Sequence, residues 1–241
     1  MIKRILKKIL FIKNEQLVKV YSHPRSGTHF LEAFLARNFY AKKKLSIDEI
    51  KWGHWSNRKI NYEGNEYGKL FGDHLLPSLN NNKPKIIYIY RDGRSVAYSI
   101  WKTPNFLNKN LKGISFHDFL KTPIDWKGSP GYKTDNKLNI LEHWNLHVKA
   151  WIEYSEINSN VLVISYEDLV NKPYKVYLEI HKNFFENKRI KDENEIELIK
   201  KPIGLLPNKA KTDSWKTIFN EKENEYFLNL ISKNKYLNDY Y

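Results

Sequence analysis

The 241-residue chain contains no cysteine. A disulfide, a thiolate nucleophile and a cysteine-ligated metal are therefore excluded. A reducing, cytoplasmic setting is compatible with that composition. Long apolar runs are absent too. The most suggestive stretch, MIKRILKKILFIK at the N-terminus, is broken by Lys7 and Lys8, so it cannot span a bilayer. It has no small-residue cleavage site, which argues against a secretory signal peptide. Acidic residues are the minority: 27 Asp and Glu stand against 41 Lys and Arg, a net charge of +14. No internal repeat and no convincing domain boundary is visible.

Aromatic residues make up 15% of the chain. That is enough for a sizeable core and argues against global disorder. The length suits one large domain or two small ones. The positive charge points to an anionic partner: a nucleotide, a nucleic acid, a sulfated or phosphorylated substrate, or a membrane surface. The lysines are scattered, however, so codon bias in an AT-rich genome explains part of that charge equally well. Residues 1–15 form a basic amphipathic segment with Ile2, Ile5, Leu6, Ile9, Leu10 and Ile12 at helical spacing. Packing on the domain and peripheral membrane contact through residues 1–13 are its two readings.

The stretch QLVKVYSHPRSGTHFLEAFLARNFY, residues 16–40, organises the chain. Gln16–Ser22 reads as a buried strand, His23–Gly27 as a turn, and Thr28–Tyr40 as an amphipathic helix. A strand, a glycine turn and a helix aim backbone N–H groups and a positive dipole end at an anion. Arg25 adds a planar donor fork, and Ser26, Thr28 and His29 add short polar donors. The alternative is an ordinary turn capped by Ser26 or Thr28. It is not a Walker A loop, since no Lys precedes Thr28.

A second strand is expected over Lys85–Tyr90, followed by a helix over Ser95–Trp101. Arg91 then lies at a strand's C-terminal end, where its alternative is a turn ion pair with Asp92. Ser99 reaches the same ligand only if that helix packs along it. A short strand over Lys69–Phe71 leads into Gly72-Asp73-His74-Leu75-Leu76-Pro77. His74 thus stands where α/β active sites form, although a lone His there is often structural. Trp52, Trp55 and Tyr62 either line a pocket or cover the core. Residues 103–136 form an excursion with a helical turn around Ile114–Leu120. Leu138–Tyr154 reads as a helix whose His143 and His147, at i and i+4, are either a packed face or a metal pair with no evident third ligand. Val161–Ser165 is a further strand, Pro173–Phe185 a helix, residues 186–200 another helix, and about 221–233 the last.

Several of these segments resemble, in order, the sulfotransferases that use 3′-phosphoadenosine 5′-phosphosulfate (PAPS). His23–Phe30 is similar to their phosphosulfate loop, PKSGTTW or PRSGTT. Arg91 and Ser99 match their 3′-phosphate motif of a strand, an Arg and a Ser eight residues on. Asp73–Pro77 resembles the THLP segment, Leu138–Tyr154 the W-x-x-H-V-x-x-W helix, and Tyr166–Leu169 the YEDL segment. Residues 205–219 resemble a degraded RKGxxGDWKN loop: Trp215, Lys216 and Lys209 match, whereas Asn208 and Ala210 replace Arg and Gly. Phe30 stands for a Trp, His29 for a Thr, Arg25 for a Lys, and Gly72 for a Lys.

The resemblance implies a single α/β domain over residues 16–241, with a mainly parallel central sheet flanked by helices and a P-loop-like phosphosulfate-binding loop. It implies a transferase that moves a sulfonate from PAPS to a hydroxyl, or an amine, and leaves adenosine 3′,5′-bisphosphate (PAP). His74 would be the general base, with Asp73 as runner-up, and Arg25 the cation at the leaving group. Arg25, Ser26, Gly27, Thr28, His29, Phe30, Arg91, Ser99, Tyr166, Lys209 and Lys211 would hold the donor. No metal and no nucleic acid is expected, and the acceptor would be a small molecule or a glycan. The rivals are a P-loop-like kinase using ATP, a non-enzymatic anion- or nucleic-acid-binding module, and a fold of this family that has lost activity. Neither the acceptor nor the oligomeric state is legible in the sequence.

Overall fold

The computed structural model describes residues 17–40, 70–78, 84–104, 107–126, 137–198, 211–235 and 237. The N-terminal segment, Trp52, Trp55, Tyr62, Asn208, Lys209 and Ala210 lie outside the described residues. Strands β1 (Lys19–Ser22), β2 (Phe71–Asp73), β3 (Ile86–Tyr90) and β4 (Val161–Ser165) form one sheet in the order β2-β1-β3-β4. Every pairing is parallel. The expected strand at Lys69–Phe71 is shifted onto Phe71–Asp73, directly beside His74. Its pairing with β1 changes register between Val20 and Tyr21.

The sheet is covered on both faces, as parallel sheets require. In β3 the sequence IIYIY is buried at every position, so it reads as a continuous apolar run. Ile87 and Ile89 join Val18, Val20, Leu162 and Ile164 on one face. There they meet helix α1 (Thr28–Phe39) and, from later in the chain, Leu169, Val176, Tyr177 and Ile180. Ile86, Tyr88 and Tyr90 point the other way, toward α2 (Gly93–Lys102). α3 (Phe116–Lys121) and α4 (Ile140–Ile157) complete that second core with Phe116, Phe119, Trp144, Val148 and Trp151. The chain continues through α5 (Tyr166–Asn171), α6 (Pro173–Phe184) and α7 (Glu221–Ser232). Residues 186–198 hold only a 3-10 turn at Glu193–Glu195, not the expected helix. Asp192, Glu193 and Glu195 satisfy that turn locally, and the segment contributes only partly buried Ile196 and Leu198 to the core, too little for an amphipathic face.

Strand order decides where a ligand belongs. From β1 the chain passes to β2 on one side and then to β3 on the other. Such a reversal opens a crevice at the carboxyl ends of the strands. His23–Gly27, His74 and Arg91 all follow those ends.

Close packing shows at Gly93, the first residue of α2. A Cβ there would lie 2.8 Å from ring atoms of both Trp144 and Phe227. Gly93→Ala should cost about 1–3 kcal/mol by overpacking, read as a lower urea midpoint at unchanged slope; an unchanged midpoint would mean that α4 and α7 give way freely.

Candidate functional site

The loop after β1 has an unusual backbone. Arg25 has φ 68° and Gly27 φ 92°, both left-handed. For Arg25 that conformation costs on the order of 1–3 kcal/mol. Gly27 has a second reason to lack a side chain, because a Cβ would fall 2.3 Å from Cδ2 of Tyr166. Alternating left- and right-handed residues turn successive N–H groups into one concavity.

The loop feeds α1, whose first N–H groups have no intrahelical acceptor. In α2, α3, α4, α5 and α7 a side chain caps the first turn: Asp92, Ser115, Asn139, Ser165 and Asn220. The N-cap of α1 is Gly27, with no side-chain cap. Neither Ser26 nor Thr28 plays the ordinary capping role. Thr28 Oγ1 lies 2.5 Å from Ser22 Oγ. Ser26 Oγ is buried without a partner. A cradle with unspent donors and an orphaned hydroxyl fits an oxyanion.

Arg91 leaves the end of β3 and turns toward the cradle. It lies 4.8 Å from the centroid of the Tyr166 ring. Its Nη2 donates to the main-chain carbonyl of Lys211 at 2.6 Å, and its buried Nε has no partner. A long 3.5 Å contact joins Nη1 to the Arg25 carbonyl. Arg25 Nε donates to Ser99 Oγ at 2.9 Å, so α2 does pack along the site. Burial, then the neighbouring Arg91, push the Arg25 guanidinium down to about 10. Neither arginine makes an ion pair among the described residues. The turn ion pair suggested for Arg91 and Asp92 does not form. Asp92 caps α2 and pairs with Arg94 at 2.6 Å instead. Arg94 is in turn sandwiched between Trp215 and Phe227.

His74 is buried and follows β2. Its Nδ1 lies 2.6 Å from the Ser22 carbonyl and 3.2 Å from Ser22 Oγ. A nitrogen facing a carbonyl must carry the proton, so the neutral ring has its lone pair at Nε2. The Asp73 carboxylate accepts from the His74 main-chain N–H at 2.6 Å. His29 lies within electrostatic reach of His74 and Arg25. Burial first, then those two groups, push its imidazole down to about 3 and keep it neutral.

α4 supplies an unforeseen set of contacts. Four ring nitrogens on one face of it meet the three site segments. His143 Nδ1 lies 3.0 Å from His23 Nε2. Trp144 Nε1 donates to the Arg91 carbonyl at 2.9 Å. His147 Nε2 lies 3.1 Å from the His74 carbonyl, and Trp151 Nε1 donates to the Leu75 carbonyl at 3.0 Å. The i, i+4 histidine spacing was visible in the sequence; their partners, 120 and 73 residues away for the cited pairs, were not. Among the described residues no cluster able to hold a metal ion occurs.

Tyr166 closes the cradle. It covers Gly27, meets Phe30 edge-on at 5.6 Å between centroids, and carries Arg91 on its ring. Beside it, Glu167 accepts from the Asp92 N–H at 3.2 Å. Burial is the main reason its carboxyl is pushed up to about 7. Ser95 Oγ donates to the Thr212 carbonyl at 2.7 Å, so residues 211 and 212 are strapped to the start of α2. Lys211 therefore reaches the site by its carbonyl; the residue itself is exposed.

This is a parallel α/β protein with a P-loop-like anion cradle at the switch of its strand order. A sequence model of the sulfotransferase domain matches residues 15–203. The chain belongs to that sulfotransferase family. It is 26% identical over 163 residues to an amine sulfotransferase of Oryctolagus cuniculus, a match covering 63% of this chain and 50% of that relative. Among solved structures it is similar to a mouse sulfotransferase complexed with PAP, at 19% identity and TM-score 0.54, covering 93% of this chain and 85% of the other. It is also similar to a retinol dehydratase in complex with retinol and PAP, at 19% identity and TM-score 0.53, covering 98% and 86%. No helix among the described residues is long and apolar enough to cross a membrane.

Glu167 generates a pH prediction. Its native carboxyl holds a proton up to about pH 7, whereas the ordinary value is 4.5. Between those values the unfolded chain releases a proton that the native state keeps, so this group's contribution to stability falls as pH rises. Glu167→Gln keeps an acceptor for Asp92 and lacks that loss. Its melting temperature relative to wild type should rise from pH 5 to pH 8; a difference independent of pH would show that the carboxyl titrates normally.

Proposed function

We propose that the protein transfers the sulfonate of PAPS to a hydroxyl or amine of a small-molecule or glycan acceptor. The observation that carries this reading is a buried guanidinium, Arg91, and a half-buried one, Arg25, following neighbouring parallel strands and flanking an uncapped helix N-terminus. Membership of the family supports it, as do the relative named as an amine sulfotransferase and neighbours crystallised with PAP. Retinol and androsterone in neighbour structures support a small-molecule acceptor. A cytoplasmic setting goes with this reading and suits a chain without cysteine.

In this assignment Ser26, Gly27, Thr28 and His29 surround the 5′ side of the donor. Arg91 takes the 3′-phosphate, with Ser99 and Lys211 beside it. Phe30 and Tyr166 offer aromatic faces to the adenine. The donor supplies an activated sulfur whose bond to a phosphate oxygen breaks as the acceptor atom bonds to it. Arg25 stabilises charge building on the departing oxygen. It remains protonated at neutral pH, so its help is electrostatic and hydrogen-bonded. His74 Nε2 takes the proton of the acceptor as the new bond forms. The Ser22 carbonyl keeps the His74 proton on Nδ1 and so keeps Nε2 basic. Positioning and charge, not covalent catalysis, carry the rate.

PAP should raise the melting temperature well beyond AMP or ATP, with and without EDTA, since ligand binding stabilises the native state by mass action. Arg91→Ala should remove most of the difference, on the order of 1.5–3 kcal/mol for a lost charge-assisted bond. Equal shifts for AMP and PAP would remove the second phosphate site. A metal requirement would favour the kinase reading, and steep, salt-sensitive nucleic-acid binding without turnover would favour a binding module.

His74→Ala should lower kcat by about 10²–10⁴ and leave PAP binding nearly unchanged. The wild-type rate should fall on acidification, because protonated His74 has no lone pair, and the variant should lose that dependence. Asp73→Asn should retain most activity. Near-normal turnover of His74→Ala with a dead Asp73→Asn would transfer the role of base to Asp73.

A further inference from the structure

The candidate base directly follows the shortest strand of the described sheet. β2 has three residues, lies at the edge of the sheet among the described residues and pairs with β1 in an irregular register. Leu75 and Leu76, which follow the base, are 39% and 38% exposed. An edge strand that short does not by itself hold an imidazole to the tolerance of catalysis, where a misplacement of about 1 Å costs on the order of 10²-fold.

Behind His74 stands a buried chain of hydrogen bonds. The His147 nitrogen facing the His74 carbonyl is Nε2, so Nε2 carries the proton. Neutral His147 then has its lone pair on Nδ1, and Nδ1 lies 2.8 Å from the Tyr88 hydroxyl. Tyr88 must therefore be the donor. The His147 ring meets His23, at the start of the cradle loop, edge-on with ring centroids 5.4 Å apart. Both bonds in the sequence Tyr88 O–H, His147, His74 carbonyl run in one direction. Both side chains are buried, and Tyr88 stacks on Trp151 at an interplanar angle of 10°. Burial keeps His147 neutral.

We propose that Tyr88 and His147 are positioning residues that fix the base at a set distance from the phosphosulfate cradle. They touch neither donor nor acceptor. Two rigid rings, one on β3 and one on α4, hold the carbonyl of the base, and the His147 ring rests against the first residue of the cradle loop. The assignment rests on the reading of His74 as general base.

The test is a double-mutant cycle on turnover, with the PAP-induced melting shift as a control for the cradle. His147→Leu should lower kcat 10- to 100-fold, the usual scale for a partner behind a reacting group. Tyr88→Phe should lower it less, and His147→Gln, which keeps an N–H donor, should recover part of the loss. All three should keep the PAP shift. In a His74→Ala background the same substitutions should cost no more than about 2-fold, because residues that act through one group are not additive with its removal. Equal losses in both backgrounds, or full turnover of His147→Leu, overturn the positioning role while leaving the base assignment standing. Full turnover of His74→Ala overturns the base and the positioning role together. Should His147→Leu fail to fold, Tyr88→Phe preserves the volume and carries the same comparison.

Discussion

Arg25 and Arg91 stand close enough that Arg91 adds to the depression of the Arg25 guanidinium, and no carboxylate forms an ion pair with either among the described residues. Burying one unpaired cation is costly, and burying two side by side is more so. The rest of the site reads as a response to that constraint. The αL turn at Arg25, the bare N-terminus of α1, the unpartnered Ser26 hydroxyl and the face of Tyr166 all supply what an anion needs and what no side chain nearby provides. Stability is given up locally to hold that arrangement.

The core carries that cost. Both faces of the sheet are closed by helices, and Tyr88, Trp144 and Trp151 lie fully inside. Their polar atoms are not incidental. Buried tryptophan and histidine N–H groups need acceptors, and on α4 those acceptors are the main-chain carbonyls of Arg91, His74 and Leu75. One helix thereby ties together the ends of β2 and β3, and through His143 the loop after β1. Short strands gain positional accuracy from a long helix. The strap at 211 and 212 does the same for the start of α2, with Arg91 and Ser95 as donors.

Much of this was legible locally. Alternating and continuous apolar runs marked β1, β3 and β4, and 3.6-residue spacing marked α1, α4 and α6. β3 begins one residue later than expected and α2 two residues earlier, because Asp92 caps it. β2 was misplaced because a three-residue edge strand has almost no pattern to read. The charged stretch after α6 looked helical by composition but lacks an apolar face to bury.

What the sequence by itself determined was whatever depends on neighbours in the chain: the strand–loop–helix around Gly27, the need for glycine there, the parallel α/β class, the surplus of cations and the motifs that mark the family. Only the tertiary structure decided which groups face each other across 50 to 120 residues. That Lys211 offers a carbonyl to Arg91, that Ser22 sets the tautomer of His74, and that His143 and His147 meet His23 and the His74 carbonyl are outcomes of strand order and helix rotation. Hydrogen-bond direction and desolvation depend on such through-space placement, and no local pattern records it.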